Sequence, residues 1–232
     1  MRYRGHECAR NEGGDLCKGM QAWGTGLNFG GIFADEDRRM TFRATRAGTE
    51  LEKQAAHDPL TGVWNRGAIL ELMGREVARA QREGTVLAVA IADLDHFNEI
   101  NETRGRQCGD HVLREAAERL ASCLREYDSI GRYGGEEFLI LMPGCDPQTS
   151  QTRMEALVAS IGDHIFSDHF SDQGREIRTS CSFGVTVFRP ATRLLAIEEL
   201  LAAANNALYV AKATGRNRAH FAELVGRQAA RA

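Results

Sequence analysis

Acidic side chains stand at two places where an apolar run of this chain begins or ends. Glu136 and Glu137 follow a Gly-Gly pair and open an apolar run, and Asp93 and Asp95 follow the apolar run Val86 to Ala92. Neighbouring residues of a strand point to opposite faces of a sheet, whereas residues two apart share a face. Like charges placed this close need a cation or separate partners.

The chemistry that suits such carboxylates is metal-assisted transfer of a phosphoryl group. If the two strand ends converge, Asp93, Glu136 and Glu137 form an oxygen-only ligand set without histidine, which favours Mg²⁺ or Mn²⁺. A carboxylate-bound metal pair activates a hydroxyl and stabilises a leaving pyrophosphate. Lys212 and Arg216 lie four residues apart at the end of a predicted helix and so share one face. They are candidates for phosphate binding, or for simple capping of the helix C-terminus by positive charge.

The elements that must position these residues follow from apolar periodicity and from Gly and Pro. Apolar runs on both sides of Gly134 and Gly135 predict a β-hairpin, with glycine supplying a positive φ at the turn. Gly184, inside a predicted strand, indicates a close approach of another backbone. Helices are predicted from Asn65 to near Gly84, over Phe97–Thr103, and over about Gln107–Glu126, Gln148–Ile165 and Ile197–Ala213; further strands are predicted over Val86–Ala92, Ile177–Phe188 and Arg218–Phe221. Helices interleaved with strands and one antiparallel hairpin indicate an α/β sandwich of ferredoxin-like type with a mixed sheet.

Composition narrows the class of protein. The chain has 232 residues, of which 43% are hydrophobic and 26% charged, with a net charge of -3. These values predict one globular domain plus an extension, and they argue against a surface that coats nucleic acid. The longest apolar run, Val86 to Ala92, is too short to span a membrane, and Met1 to Arg10 lacks the apolar core of a secretory signal. The six cysteines include no Cys-x-x-Cys pair, so we expect free thiols and a cytoplasmic protein.

The sequence also predicts a division of the chain. Residues 1–38 have little periodicity and form an extension to which no fold is assigned. Residues 39–57 carry a thin apolar stripe, which predicts a linker helix that either pairs with a copy of itself or is a solvated spacer. Pro59 and Gly62 end that helix. The main domain then covers 58–225, and 226–232 form a tail.

Six motifs in order together resemble the GGDEF family of diguanylate cyclases, over about residues 50–222. They are Asp58-Pro-Leu-Thr-Gly-Val-Trp-Asn-Arg66, Asp93-Leu-Asp-His-Phe97 with Ile100-Asn101, Gly109-Asp110-His-Val-Leu-Arg114, Arg132-Tyr-Gly-Gly-Glu-Glu-Phe138, Ser182-Phe-Gly-Val185, and Ala207-Leu-Tyr-Val-Ala-Lys212 through Gly215-Arg216-Asn217. The resemblance implies a palm-type cyclase fold with a five-stranded, mixed and mostly antiparallel sheet flanked by helices. It also implies a homodimer that condenses two GTP into cyclic di-GMP and two pyrophosphates, with two Mg²⁺ or Mn²⁺ ions per active site.

The resemblance assigns a role to individual residues of this chain. It implies metal binding by the carboxylates of Asp93, Glu136 and Glu137 and by the carbonyl of Leu94. It implies catalytic roles for Glu136, Glu137, Lys212 and Arg216. Glu136 is then the candidate base for the ribose 3′-hydroxyl, unless coordination of that hydroxyl to a metal makes a separate base unnecessary. It implies substrate binding by His96, Phe97, Asn101, Asp110, Gly135, Lys212 and Arg216.

Within that set, Asn101 and Asp110 look like the guanine readers. His96 and Phe97 would offer backbone amides to the phosphates, and Lys212 and Arg216 would hold the terminal ones. A carboxylate accepts from guanine N1 and N2, whereas adenine would leave Asp110 partly unpaired. Sites built from hydrogen bonds reject such analogues by about 10⁴-fold in good cases. A related cyclase that makes an adenine-containing product is therefore disfavoured.

Upstream of the hairpin, Arg125 and Asp128 match the family's RxxD motif, which implies product inhibition by cyclic di-GMP. The sequence singles out no second arginine for this site on the helix after Pro143. Two departures from the family pattern stand near the phosphates, Asn98 in place of the usual Lys and Glu102 in place of Asp. They leave open a different class of protein, a weak or inactive GGDEF domain that serves as a receptor for GTP or cyclic di-GMP.

Overall fold

The computed structural model describes residues 56–167, 176–190 and 196–222. The predicted extension 1–38, nearly all of the predicted linker helix 39–57 and the tail 226–232 lie outside the described residues. Among the helices of the described part, none has the length and apolar character that a membrane crossing requires.

The helices and strands follow the predicted order, with one additional short strand at Phe166–Ser167. The helices are α1 (Arg66–Glu83), α2 (Phe97–Arg104), α3 (Arg106–Ser122), α4 (Pro147–Gly162) and α5 (Ile197–Ala213). The strands are β1 (Leu87–Leu94), β2 (Ser129–Arg132), β3 (Glu137–Pro143), β4 (Phe166–Ser167), β5 (Glu176–Ile177), β6 (Cys181–Phe188) and β7 (Ala219–Ala222).

A five-stranded sheet in the order β2-β3-β1-β6-β7 forms the centre of the domain. Only β6 and β7 run parallel; the other neighbours are antiparallel. One face of the sheet packs against α3 and α4 and the other against α1 and α5. All eight residues of β1 are buried because both of its faces are covered, which explains its continuous apolar run. The predicted α/β sandwich with a mixed, mostly antiparallel sheet is confirmed.

Local capping explains where two of the helices begin. The side chain of Asn65 accepts from Ala68 N at 3.0 Å at the start of α1, as the sequence predicted. Asp146 caps α4 in the same way, accepting from Thr149 N at 2.9 Å, with Pro147 in the first turn. The end of α1 falls at Gly84, which takes the left-handed conformation.

Two predicted elements are corrected. The strand predicted over Ile177–Phe188 is two strands, because β5 pairs with β4 in a separate two-stranded ribbon. The polar residues between them turn towards the end of β1, where Thr179 Oγ1 donates to the carbonyl of Asp95 at 2.8 Å. The helix predicted to reach about Glu126 ends at Ser122, so the segment from Arg125 to Asp128 lies in a loop.

Two glycines, Gly184 and Gly134, leave room that a Cβ would fill. The close approach predicted at Gly184 is confirmed, since a Cβ there would lie 2.0 Å from the Ala204 carbonyl oxygen of α5. The positive φ predicted at the Gly134-Gly135 turn is wrong, because neither residue takes the left-handed conformation. Gly134 instead leaves room for the Glu137 side chain, because a Cβ at this position would lie 2.3 Å from the Glu137 carboxylate and displace it.

Candidate active site

The structure brings the predicted acidic residues together at one end of the sheet. Asp93, near the end of β1, stands directly opposite Glu137, the first residue of β3. Leu94 N donates to the carbonyl of Glu136 at 3.3 Å, which ties the two strand ends together. The convergence expected from the sequence therefore follows from the register of β1 with β3.

Burial and mutual repulsion disfavour the ionised forms of Asp93 and Glu137. Burial is the main cause that raises the pKa of Glu137, and the charges of Asp93 and Glu136 raise it further. Burial also raises the pKa of Asp93, against the opposing effect of Lys212. Negative charge is thus concentrated beyond what the surrounding protein neutralises, as is typical of functional sites.

Lys212 reaches this acidic group from α5. Its Nζ lies 2.7 Å from Oδ1 of Asp93, whose side chain is 9% exposed. Helix α5 packs close to the sheet because Gly184 of β6 leaves room for the helix backbone. Lys212 therefore faces the site, and capping of its own helix does not explain its position.

Asp95 shares the face of Asp93 but has a different role. Its carboxylate accepts from Ser180 Oγ at 2.6 Å, from Ser182 Oγ at 2.7 Å and from Asn217 N at 3.1 Å. Arg216 Nε lies 4.0 Å from it, so this predicted phosphate-binding residue also stands at the site. The prediction that Arg216 shares a helix face with Lys212 is wrong, because α5 ends at Ala213 and Arg216 follows it with a positive φ. The protein thus satisfies Asp95 internally, and Asp95 anchors the turn after α5.

Backbone strain is concentrated at the same place. In the described part of the chain, the non-glycine residues with positive φ are His96, Arg216 and Asn217. His96 precedes α2, and the other two follow α5; all three stand next to the end of β1 in the fold. Such conformations are disfavoured and cluster at functional sites. The Phe97 side chain is buried and the His96 side chain is exposed. The backbone amides of both stand at the start of α2, where helical amides lack intrahelical acceptors.

The residues present fit a hard divalent cation. Neither Glu136 nor Glu137 has a hydrogen-bond donor for its carboxylate among the described residues. In that part of the chain, no three side chains of His, Cys, Asp or Glu form a ready-made cage. Mg²⁺ does not require one, since it usually binds through one or two carboxylates together with waters and substrate phosphates. Carboxylate oxygens that carry surplus negative charge and receive no hydrogen bond from the described residues suit such an ion.

The two predicted guanine readers are brought together by α2 and α3. Asn101 lies against Gly109, where a Cβ would come within 2.0 Å of its Oδ1. Asp110 is the next residue of α3. Neither side chain has a hydrogen-bond partner among the described residues, although both are partly buried. The Asn101 amide and the Asp110 carboxylate are therefore both available for hydrogen bonds to a ligand.

Arg125 and Asp128, predicted to bind product, differ in accessibility. Arg125 is exposed and lies over the Tyr127 ring. The Asp128 side chain is fully buried, forms an ion pair with Arg153 of α4 and accepts from Arg125 N at 2.7 Å. The Asp128 carboxylate therefore orders the loop that presents Arg125.

Sequence reasoning missed three residues near these sites. Arg153 lies on the helix after Pro143, where no arginine was singled out, and its pairing with Asp128 is visible only in the fold. Asp58 and Arg132 stand inside recognised motifs but were assigned no role, although they form an ion pair at 3.2 Å. Their presence in motifs was the available signal.

Comparison with known proteins decides the family. The sequence profile described as "Diguanylate cyclase, GGDEF domain" matches residues 55–218, more than half of the chain. The chain belongs to the GGDEF family. This GGDEF domain is 40% identical over 173 residues to diguanylate cyclase DgcP of Pseudomonas aeruginosa, covering 75% of this chain and 25% of DgcP. It is also 34% identical over 175 residues to the cyclic di-GMP phosphodiesterase NbdA of the same organism, covering 75% of this chain and 22% of NbdA.

A solved structure places the fold in the same family. The coiled coil and GGDEF domain of DgcB from Caulobacter crescentus, solved in complex with cyclic di-GMP, aligns with a TM-score of 0.75 and 25% identity. The alignment covers 82% of this GGDEF chain and 97% of that one. By contrast, the chain spans about a quarter of the length of DgcP and of NbdA.

Proposed function

We propose that this GGDEF domain is a diguanylate cyclase that condenses two GTP into cyclic di-GMP and two pyrophosphates. The observation that carries the proposal is the acidic group at the end of the sheet. There Asp93 and Glu137 face each other with raised pKa values, beside the cation of Lys212. Membership of the family and the similarity to DgcP support the same activity.

In the proposed reaction, the 3′-hydroxyl oxygen of one GTP attacks the α-phosphorus of the other. The new P–O bond forms as the bond to the pyrophosphate oxygen breaks, and Glu136 accepts the hydroxyl proton. A second transfer with the roles exchanged closes the ring. Mg²⁺ or Mn²⁺ held by Asp93, the Leu94 carbonyl, Glu136 and Glu137 would supply charge neutralisation for the phosphates.

The remaining residues bind and orient the nucleotide. Lys212 and Arg216 would donate to the terminal phosphates, and the amides of His96 and Phe97 would contribute at the start of α2. Asn101 and Asp110 would read guanine, which favours GTP over ATP. Since one such site holds one GTP, two copies of the domain must face each other, so the working form is a homodimer.

Product inhibition is proposed at Arg125. A pocket of about 200 Å³ beside it is lined by His57, Trp64 and Asp128 among others. The His57 and Trp64 rings are stacked with centroids 4.3 Å apart. An exposed guanidinium next to an aromatic wall suits a nucleotide with a phosphate, and cyclic di-GMP is the proposed ligand.

The first experiment incubates the purified chain with GTP and Mg²⁺, resolves the nucleotides by chromatography and includes Glu136→Ala. The parent should form cyclic di-GMP and pyrophosphate, and the variant should lose at least about 100-fold in rate, because both a metal ligand and the proposed base are gone. No product from the parent at any protein concentration would refute the cyclase proposal.

A second candidate function is that of a nucleotide receptor. Asn98 in the first turn of α2 is exposed and uncharged, and the cations at the site, Lys212 and Arg216, already face Asp93 and Asp95. The similarity to the phosphodiesterase NbdA indicates that such domains also occur in proteins of another activity. Binding of cyclic di-GMP that Arg125→Ala abolishes, in a parent without turnover, would favour this function.

The two glycines of the hairpin turn give a matched pair of variants. Among the described residues other than its chain neighbours, none has an atom within 4 Å of a Cβ at Gly135, so Gly135→Ala should fold like the parent. If a phosphate approaches this backbone, the methyl group should lower turnover by about 10- to 100-fold. Gly134→Ala should also lower turnover, because its Cβ displaces the Glu137 carboxylate.

Thermal unfolding and steady-state kinetics of both variants separate these effects. Full activity of Gly135→Ala would contradict a close approach of substrate to this turn.

A further inference from the structure

Arg132 connects two segments that are far apart in the sequence. From the end of β2, its Nε and Nη2 donate to the carbonyl of Gly135 at 3.0 and 2.8 Å. Its Nη1 donates to the carboxylate of Asp58 at 3.2 Å. Both side chains are largely buried, with 20% and 16% exposed. A planar guanidinium donates to a carbonyl and a carboxylate through separate nitrogens of one rigid fork, whereas a lysine ammonium offers a single point charge.

Asp58 is itself held rigidly. Its Oδ1 accepts from Thr61 N at 2.9 Å and from Thr61 Oγ1 at 2.7 Å, and its carbonyl accepts from Gly62 N at 2.9 Å. Burial raises the pKa of Asp58, but the hydrogen bonds from Thr61 and Arg132 outweigh it and lower the pKa from its usual value. The Asp58 to Gly62 turn is therefore closed on itself and presents a charged carboxylate to Arg132.

The same turn is joined to the edge of the sheet. Trp64 N donates to Ile130 O at 3.2 Å, and Arg132 N donates to Trp64 O at 2.7 Å. Asn65 N donates to Ala56 O at 2.9 Å, which closes the segment from 56 to 65. Backbone and side chain thus connect this segment to β2 as one unit.

At its other end, Arg132 holds the loop that carries the proposed catalytic carboxylates. Gly135 directly precedes Glu136, and the amides of Tyr133 and Gly134 donate to the Glu137 carbonyl at 2.8 and 3.2 Å. Nothing in the described part of the chain packs where a Gly135 side chain would lie. Hydrogen bonds, with those of Arg132 foremost, therefore determine where this peptide sits.

We propose that Arg132 and Asp58 are positioning residues for Glu136 and Glu137. They make the turn at 58–62 and the catalytic loop move together. This inference rests on the proposed cyclase function.

The test compares Arg132→Lys and Asp58→Asn with Arg79→Gln, all in the full chain. Arg79 forms an exposed ion pair with Glu83 at 3.1 Å on α1 and serves as the matched control. Arg132→Lys keeps a cation for Asp58 but loses the fork on Gly135. It should therefore lower kcat by about 10- to 100-fold, as is usual for residues that orient catalytic groups. The KM for GTP should change less than kcat, because the variant displaces Gly135 but removes no group proposed to contact GTP.

Amide hydrogen exchange over residues 133–137 gives a readout that does not require activity. Exchange there should rise about tenfold in Arg132→Lys and Asp58→Asn and stay unchanged in Arg79→Gln. Unchanged amide exchange in this loop would overturn the positioning role. The same holds if the loss of kcat is fully explained by a smaller fraction of folded protein, as measured by thermal unfolding. If the parent makes no cyclic di-GMP, the cyclase proposal fails, and the exchange result still decides whether Arg132 and Asp58 hold the loop.

Discussion

Glu137→Gln is expected to lower turnover strongly. When no divalent cation is present, the variant should be at least as stable as the parent. Burial and the charge of Asp93 raise the pKa of Glu137, so its ionised form opposes folding. Glutamine keeps the shape and removes that charge. It also removes a proposed metal ligand, so the rate of cyclic di-GMP formation should fall by at least about 100-fold.

The pH dependence of this effect has a definite sign. The folded-state pKa of Glu137 lies above the ordinary glutamate value of 4.5, so between the two values the folded form binds more protons than the unfolded form. Stability of the parent should therefore fall as the pH rises through this window, and the full penalty is present above it. The variant lacks this contribution and should gain stability over the parent towards neutral pH.

Urea unfolding at about pH 4 and about pH 8 measures the effect, with and without Mg²⁺. Added Mg²⁺ should stabilise the parent more than the variant at the higher pH, because a ligand that binds the folded form stabilises it. Glu118→Gln, on the exposed surface of α3, is the control for loss of one negative charge. A variant that keeps turnover, or that is less stable than the parent at neutral pH, would refute this account.

Gly184→Ala should have the largest effect on stability. The added Cβ would lie 2.0 Å from the carbonyl oxygen of Ala204 and 2.2 Å from the backbone N of Leu208. Both atoms belong to the backbone of α5, so no side chain can move aside, and the helix must shift from the sheet. We expect a loss of about 3 kcal/mol or more in the free energy of unfolding. Activity should fall as well, because α5 carries Lys212.

Gly67→Ala is the matched control for this substitution. A Cβ at Gly67, in the first turn of α1, has an ordinary contact at 3.5 Å with Asn65 Oδ1. Alanine should therefore be neutral there or stabilise by up to about 1 kcal/mol. Urea unfolding of both variants decides the matter, and equal midpoints for Gly184→Ala and the parent would disprove the close packing of α5 on β6.

Periodicity and capping residues predicted most of the elements because these signals are local. The apolar run before Asp93 identified a buried strand, and Asn65 marked the start of α1, since a strand or a helix end depends on residues within a few positions. Local patterns were wrong where a distant group decides the outcome. The strand expected over Ile177–Phe188 is split because Thr179 and Ser180 bond to Asp95, 84 and 85 residues away.

The sequence by itself indicated the kind of chemistry, since carboxylates at the ends of apolar runs, six ordered motifs and two cations close together in the chain require no coordinates to recognise. Only the tertiary structure decided which of these groups meet. It paired Lys212 with Asp93, committed Asp95 to the protein, and buried Asp128 against Arg153. The physical reason is that strand register and helix packing bring together residues many positions apart, and electrostatic roles depend on those distances rather than on spacing along the chain.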